Sequence, residues 1–196
     1  PAAPASCTSS IGSPANGVEH HTTITCSLVS GADGYSYEYS TDGSNWTVNW
    51  YQTTSTSIDV NNGNSPNTPY YYRVRAYKCT PQQYSSYSNA SPFPIYTACD
   101  EPVAPTVNTP TTTTLNLTLN TETPAANPAI TTYSIYCVTT GTYVQASGAL
   151  GVTEVYQTKA TWGTKTIIGL TCNTSYTFYA KAKNAQGDVR FNSSNT

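Results

Sequence analysis

The sequence predicts an all-β chain folded as two tandem antiparallel sandwiches, and three observations carry that prediction. Apolar residues alternate with period 2 through short segments, Gly, Pro, Asn and Ser clusters separate those segments, and the order of segments in the first half recurs in the second. No stretch shows helical periodicity. At 196 residues the chain is long for one sandwich and natural for two, since such domains run to about 100 residues each.

The strands follow in order. In the first half Ile24, Cys26 and Leu28 alternate with Thr and Ser, and Tyr35, Tyr37 and Tyr39 alternate with Ser and Glu. Tyr70, Tyr72, Val74 and Ala76 then alternate with Tyr71, Arg73 and Arg75. The second half repeats this with Leu115, Leu117 and Leu119, then Tyr133 and Ile135 leading to Cys137, then Tyr176, Phe178, Ala180 and Ala182. In each set the alternating residues face the core. The units are placed at 1–99 and 100–196, joined near Asp100-Glu-Pro-Val-Ala-Pro105. The first unit runs from Tyr87-Ser-Asn-Ala-Ser91 into Pro92-Phe-Pro-Ile-Tyr-Thr-Ala98, whereas the second stops soon after Phe191-Asn-Ser-Ser194. Its seventh strand is therefore expected to be missing or only begun. That leaves a gap for a strand from a neighbouring molecule to fill, unless the chain is a segment of a longer one.

These residues resemble the fibronectin type III family, an immunoglobulin-like class. Tyr70-Tyr-Tyr-Arg-Val-Arg-Ala76 and Tyr176-Thr-Phe-Tyr-Ala-Lys-Ala182 resemble its penultimate strand. Leu170-Thr-Cys-Asn-Thr-Ser-Tyr176 is similar to the corner before that strand, and Gly34-Tyr-Ser-Tyr-Glu-Tyr-Ser40 to its third strand. Pro4 and Pro105 sit where its first strands open. Leu28 and Leu119 stand where the family usually has a Trp, which leaves another immunoglobulin-like variant open. The resemblance implies seven-stranded sandwiches used as spacers, adhesive modules or binding scaffolds, and it implies no activity.

Composition narrows the function further. Only 9% of residues are charged, against about 25% in a typical soluble domain, and the net charge is −2. Neither a basic stripe for nucleic acid nor a polybasic face for anionic lipid is present. No apolar run approaches the roughly 20 residues that span a bilayer. The chain opens at Pro1 without Met, as expected where an export signal has been removed. Six cysteines, an even count, point to disulfides made in an oxidising compartment and to an extracellular or cell-surface location. Asn45, Asn89, Asn116, Asn173 and Asn192 each open a glycosylation triplet.

The internal repeat and the sandwich topology guide the cysteine pairing. Cys7 and Cys79 fall at one pole of the first unit, and both are missing from matching positions in the second, which favours a Cys7–Cys79 bridge. Cys137 and Cys172 would meet at the opposite pole of the second unit. Cys26 and Cys99 remain by elimination, with a buried free thiol at Cys26 as the alternative; six cysteines allow fifteen connectivities.

Little else points to chemistry, and no catalytic residue, cofactor or metal site is expected. His20 and His21 are adjacent, so on a strand they would diverge and would not converge on a metal; they read as solvated loop imidazoles. Asp42-Gly-Ser-Asn45 reads as a hairpin turn, since it lacks the spacing of a calcium loop. Trp46, Trp50 and Tyr51, with Tyr84 and Tyr87, could stack on a sugar, although Trp46 and Trp50 share parity on one predicted edge strand and could equally pack inward. Trp162 is expected to cover the end of the second core. The chain thus reads as a non-enzymatic extracellular structural or adhesive protein, a candidate repeating subunit of a self-associating filament. The alternative is a carbohydrate-binding or spacer module of a larger secreted hydrolase or adhesin.

Overall fold

Alternation becomes strand pairing in each half of the chain. The computed structural model describes residues 1–12, 20–48, 50–63, 65–123 and 126–191, and the chain divides into two compact units, Pro1–Thr97 and Ala98–Thr196. The first unit contains β1 (Cys7–Ile11), β2 (His21–Cys26), β3 (Gly34–Ser40), β4 (Tyr51–Thr53), β5 (Ser57–Asn61), β6 (Pro69–Cys79), β7 (Gln82–Tyr84), β8 (Ser88–Asn89) and β9 (Ile95–Tyr96). One sheet runs β1-β2-β5 and the other β4-β3-β6-β7, with β8 and β9 also paired to β6. Between them Ile24, Cys26, Tyr35, Tyr37, Tyr72, Val74 and Ala76 are buried together, so the predicted parity of β2, β3 and β6 holds through those residues.

Parity fails just past β2. That strand ends at Cys26 and Leu28 is 82% exposed, while Val29 enters the core in its place. The chain turns there, and the Val29 N–H donates to the Tyr35 hydroxyl at 2.7 Å, which shifts the inward position by one residue.

The second unit contains β10 (Thr106–Asn108), β11 (Leu115–Thr118), β12 (Thr132–Cys137), β13 (Thr142–Val144), β14 (Leu150–Gly151), β15 (Gln157–Thr158), α1 (Lys159–Trp162), β16 (Thr164–Ile167), β17 (Phe178–Lys183) and β18 (Val189–Phe191). One sheet runs β10-β11-β16 and the other β14-β13-β12-β17-β18, with β15 paired to β12. Leu115, Leu117, Tyr133, Ile135, Phe178, Ala180 and Ala182 fill the core, joined by Cys99. β18 pairs antiparallel with Lys181–Lys183, which begins the seventh strand; positions 192–194 lie outside the described residues.

One element departs from the all-strand reading. The single turn α1 is capped by the Thr158 side chain and closed at Gly163, whose φ of 52° suits glycine. It seats Trp162 in the core, with the indole N–H donating to the Tyr133 carbonyl at 2.8 Å. Four residues are too few to show a 3.6 period.

Candidate functional site

The outer face of the β3–β6 pair carries the densest chemistry in the first unit. Register sets Glu38 opposite Arg73. The Glu38 carboxylate is fully buried; Arg73 donates to Oε2 through Nε at 3.0 Å and Nη2 at 2.7 Å, and the Tyr87 hydroxyl donates to Oε1 at 2.7 Å. Arg75 approaches Oε1 at 3.6 Å. Above this carboxylate the guanidinium groups and rings alternate. Arg73 lies 3.9 Å from the ring centroids of both Trp46 and Tyr87, and Arg75 lies 4.0 Å from Tyr84 and 4.8 Å from Tyr87. Trp46 stacks on Phe93 at 6.2 Å, and Phe93 meets Tyr71 edge-on at 5.0 Å. Burial, and then the bond to Glu38, raise the Tyr87 hydroxyl above its ordinary pKa.

Trp50 and Tyr51 belong to a different place. They line a cleft of about 380 Å³ with Thr53, Ile58, Asp59 and Asn61. Within the described residues β4 pairs only with β3 and β5 only with β2, so the cleft opens along an edge of each sheet. Trp50 also walls a neighbouring cleft of about 170 Å³ shared with Tyr39 and Tyr70. Its ring meets Tyr39 edge-on at 5.1 Å and Tyr51 at 6.1 Å. Trp50 is 39% exposed and Tyr51 49%. The structure therefore brings Trp50 and Tyr51 together and places Trp46 in the guanidinium stack.

Which backbone groups face the cleft follows from hydrogen bonding. Cys26 donates to Thr56 O at 2.8 Å and Asn62 to His20 O at 2.7 Å, so the even-numbered residues of this segment bond β2. In an antiparallel ladder that turns the N–H groups of Ser57, Asp59 and Asn61 toward the open edge. The Ser55 hydroxyl already bonds the Ser57 N–H at 3.1 Å.

Two expectations need correction. The histidines are not solvated: His20 is buried, and His21 Nδ1 lies 2.8 Å from Asp59 Oδ2 across the β2–β5 register. All six cysteines are free thiols, and Cys7 stands opposite Cys26 while exposed Cys79 stands opposite Gln82. Cys137 is sealed in the second core opposite Phe178, and Cys172 is exposed. Cys99 belongs to the second core and Cys26 to the first.

Among the glycosylation candidates Asn45, Asn89 and Asn173 are exposed. Asn116 on β11 is half-buried, its amide bonded to Thr109 and Thr166. Asn192 lies outside the described residues. Asp42 accepts the N–H groups of Ser44 and Asn45, both at 2.8 Å, in the predicted turn.

The Glu38 network and a second buried pair escaped sequence reading. Lys159 donates to both Glu122 oxygens at 2.9 Å and to Asn120 O at 2.9 Å. Arg73 and Arg75, two apart on one strand face, were the available signal for the first; nothing marked the second. Among the described residues no group of three or more His, Cys, Asp or Glu side chains is placed to hold a metal, and no helix is long and apolar enough to cross a membrane.

No family model matches the chain, and no curated protein does. Solved structures do. A two-domain fibronectin type III segment of chicken tenascin superposes with a TM-score of 0.51 at 13% identity, covering 93% of this chain and 92% of that one. The FN1–FN3 domains of chicken CNTN1 match at 18% identity and a TM-score of 0.37, over 96% of this chain and 62% of that one. The central fibronectin-III array of RIM-binding protein matches at 16% and 0.31, over 96% and 66%.

Proposed function

Taking the chain as two tandem fibronectin type III folds, we propose that it is a structural and adhesive module of an extracellular protein, and that copies of it associate into a cell-surface filament by strand addition. The fold is shown by the tenascin likeness. The observation that supports association is the cleft between β4 and β5, which presents an edge of each sheet beside an aromatic wall. An extended segment laid along β5 would meet outward backbone groups at Asp59 and Asn61 and could set alternate side chains against Trp50. The sparse charge of the chain places little repulsion between copies. Exposed Asn45, Asn89 and Asn173 suit glycans on such an assembly.

The test is electron microscopy of the protein secreted by its native cells, paired with an Asp59→Pro variant. Proline removes one outward N–H and keeps the backbone hydrogen bonds to β2, although the Asp59 side-chain contacts with His21 and Thr23 go with it. Fibres from the native chain that Asp59→Pro abolishes, with the variant still folded, support the reading. Discrete native particles, or unchanged fibres from the variant, overturn it.

A second reading is favoured by one observation. Trp50 and Tyr51 expose ring surface beside Asp59 and Asn61, an arrangement suited to a sugar's apolar face and hydroxyl rim. Glycan-array binding lost in Trp50→Ala would move the function to carbohydrate recognition, as in a module of a larger secreted hydrolase.

A further inference from the structure

We infer that Cys7 and Cys26 form a dithiol site that closes to a disulfide at the expense of a small-molecule disulfide. The inference stands on the geometry of the first unit and is independent of the function proposed above.

The register of β1 and β2 sets the two residues directly opposite each other. Gly12 donates to His21 O and Ser27 to Ser6 O, both at 2.9 Å, so 12–21 and 6–27 are hydrogen-bonded pairs. Such pairs alternate with non-bonded ones, which makes 7–26 a non-bonded pair. Two further bonds agree. Cys26 donates to Thr56 O at 2.8 Å and Cys7 O accepts from Ser91 at 3.0 Å, so both backbones turn away from each other. Residues in non-bonded pairs approach to about 4.5 Å between Cα atoms. That lies at the near end of the roughly 4.4–6.8 Å that a disulfide spans.

Both side chains point into the core and are 6% exposed. The Cys26 sulfur lies 3.6 Å from the Tyr37 hydroxyl. Hydrogen bonds from the Cys7 thiol and then from Tyr37 favour the Cys26 thiolate and lower its pKa, while the same pairing raises Cys7. With the Tyr37 hydroxyl 3.6 Å from its sulfur, Cys26 is assigned as the attacking thiol and Cys7 as the resolving one.

The exchange balances as follows. The Cys26 thiolate attacks one sulfur of the oxidant disulfide and expels the first thiolate, which takes up a proton. The Cys7 sulfur, giving its proton to solvent, attacks the Cys26 sulfur of the mixed disulfide and expels the second. Two protein thiols are oxidised to one disulfide, and one oxidant disulfide is reduced to two thiols. Burial means that the oxidant gains access as the first unit folds or when β1 lifts from β2.

The test refolds the full chain from denaturant in oxidised glutathione, quenches it in acid, alkylates it in denaturant, and cuts it with a protease that cleaves after glutamate. Glu19 and Glu38 put Cys7 and Cys26 on separate fragments, and Cys79 and Cys99 on a third, 39–101. Trypsin would not separate them, since the first Lys or Arg is Arg73. The expected result is fragment 1–19 joined to fragment 20–38, two hydrogens lighter than the reduced pair and released by reductant. Cys79→Ser keeps that link, and Cys26→Ser abolishes it. Fragment 1–19 joined to 39–101 would overturn the inference. So would alkylation of both Cys7 and Cys26 in a sample whose exposed Cys79 and Cys172 have reacted with glutathione.

Discussion

Replacing Glu38 with alanine takes the buried carboxylate from beneath two guanidinium groups. Three hydrogen bonds of 3.0, 2.7 and 2.7 Å disappear, Arg73 and the Tyr87 hydroxyl lose this acceptor, and Arg75 loses the nearby negative charge. Removing one partner of a buried pair costs about 3–5 kcal/mol. The Arg73 and Arg75 side chains retain 21% and 16% exposure, so water can rehydrate them in part and the lower end, about 3 kcal/mol, is expected. Guanidinium unfolding at pH 7, with hydrogen exchange assigning the transitions, measures it. Amides of β3 and β6 should lose protection while those of β12 and β17 keep theirs. Adding Arg73→Ala to Glu38→Ala should cost much less than the sum of the single changes, because the orphaned charge goes with it. A loss below about 1 kcal/mol for Glu38→Ala would refute the claim that this carboxylate holds the stack together.

Trp162→Ala empties a core position and should cost the second unit about 3–5 kcal/mol in denaturant unfolding, with β12 and β17 exchanging faster; an unchanged midpoint would place Trp162 outside the core. Trp46→Ala should destabilise the first unit by about 1–2 kcal/mol through lost cation–π and ring contacts, and half-exposed Trp50→Ala by less than about 1 kcal/mol. The reverse order would contradict the separation of the two rings. Asp42 is held as carboxylate chiefly by the Asn45 and Ser44 N–H groups, which push its pKa well below the ordinary carboxylate range. A depressed folded pKa gives a contribution present above the unfolded value and lost only as pH falls through the folded one. The Asp42 carboxyl carbon should therefore show no titration by NMR between pH 5 and 3, and a midpoint in the ordinary range would refute the turn geometry.

Alternation within a strand was legible because it is local. Tyr35, Tyr37, Tyr72, Val74, Ile135 and Ala180 are inward where period 2 puts them. Leu28 shows where that logic stops: parity holds only while the backbone stays extended, and β2 ends at Cys26. The same limit divided Trp46 from Trp50, since both precede β4, which begins at Tyr51, and strand parity does not carry beyond the strand. Partners across strands were not legible at all. Cys7–Cys26, His21–Asp59 and Glu38–Arg73 are set by register, which depends on how two distant segments align and leaves no mark within either. Comparing the two halves found that Cys7 and Cys79 are missing together, but shared absence does not specify which sulfur each one faces.

The register of β1 on β2 also governs how the first sandwich bears load. A pull on the chain ahead of residue 7 reaches β1 before any other strand, and an open β1 would peel from β2 one hydrogen bond at a time. With Cys7 bonded to Cys26, the slack between them is locked inside a covalent loop. Tension then passes directly into β2, the central strand of its sheet. The thiol pair is a shackle at the point where force enters, and whether it is closed sets how far the domain extends before it resists.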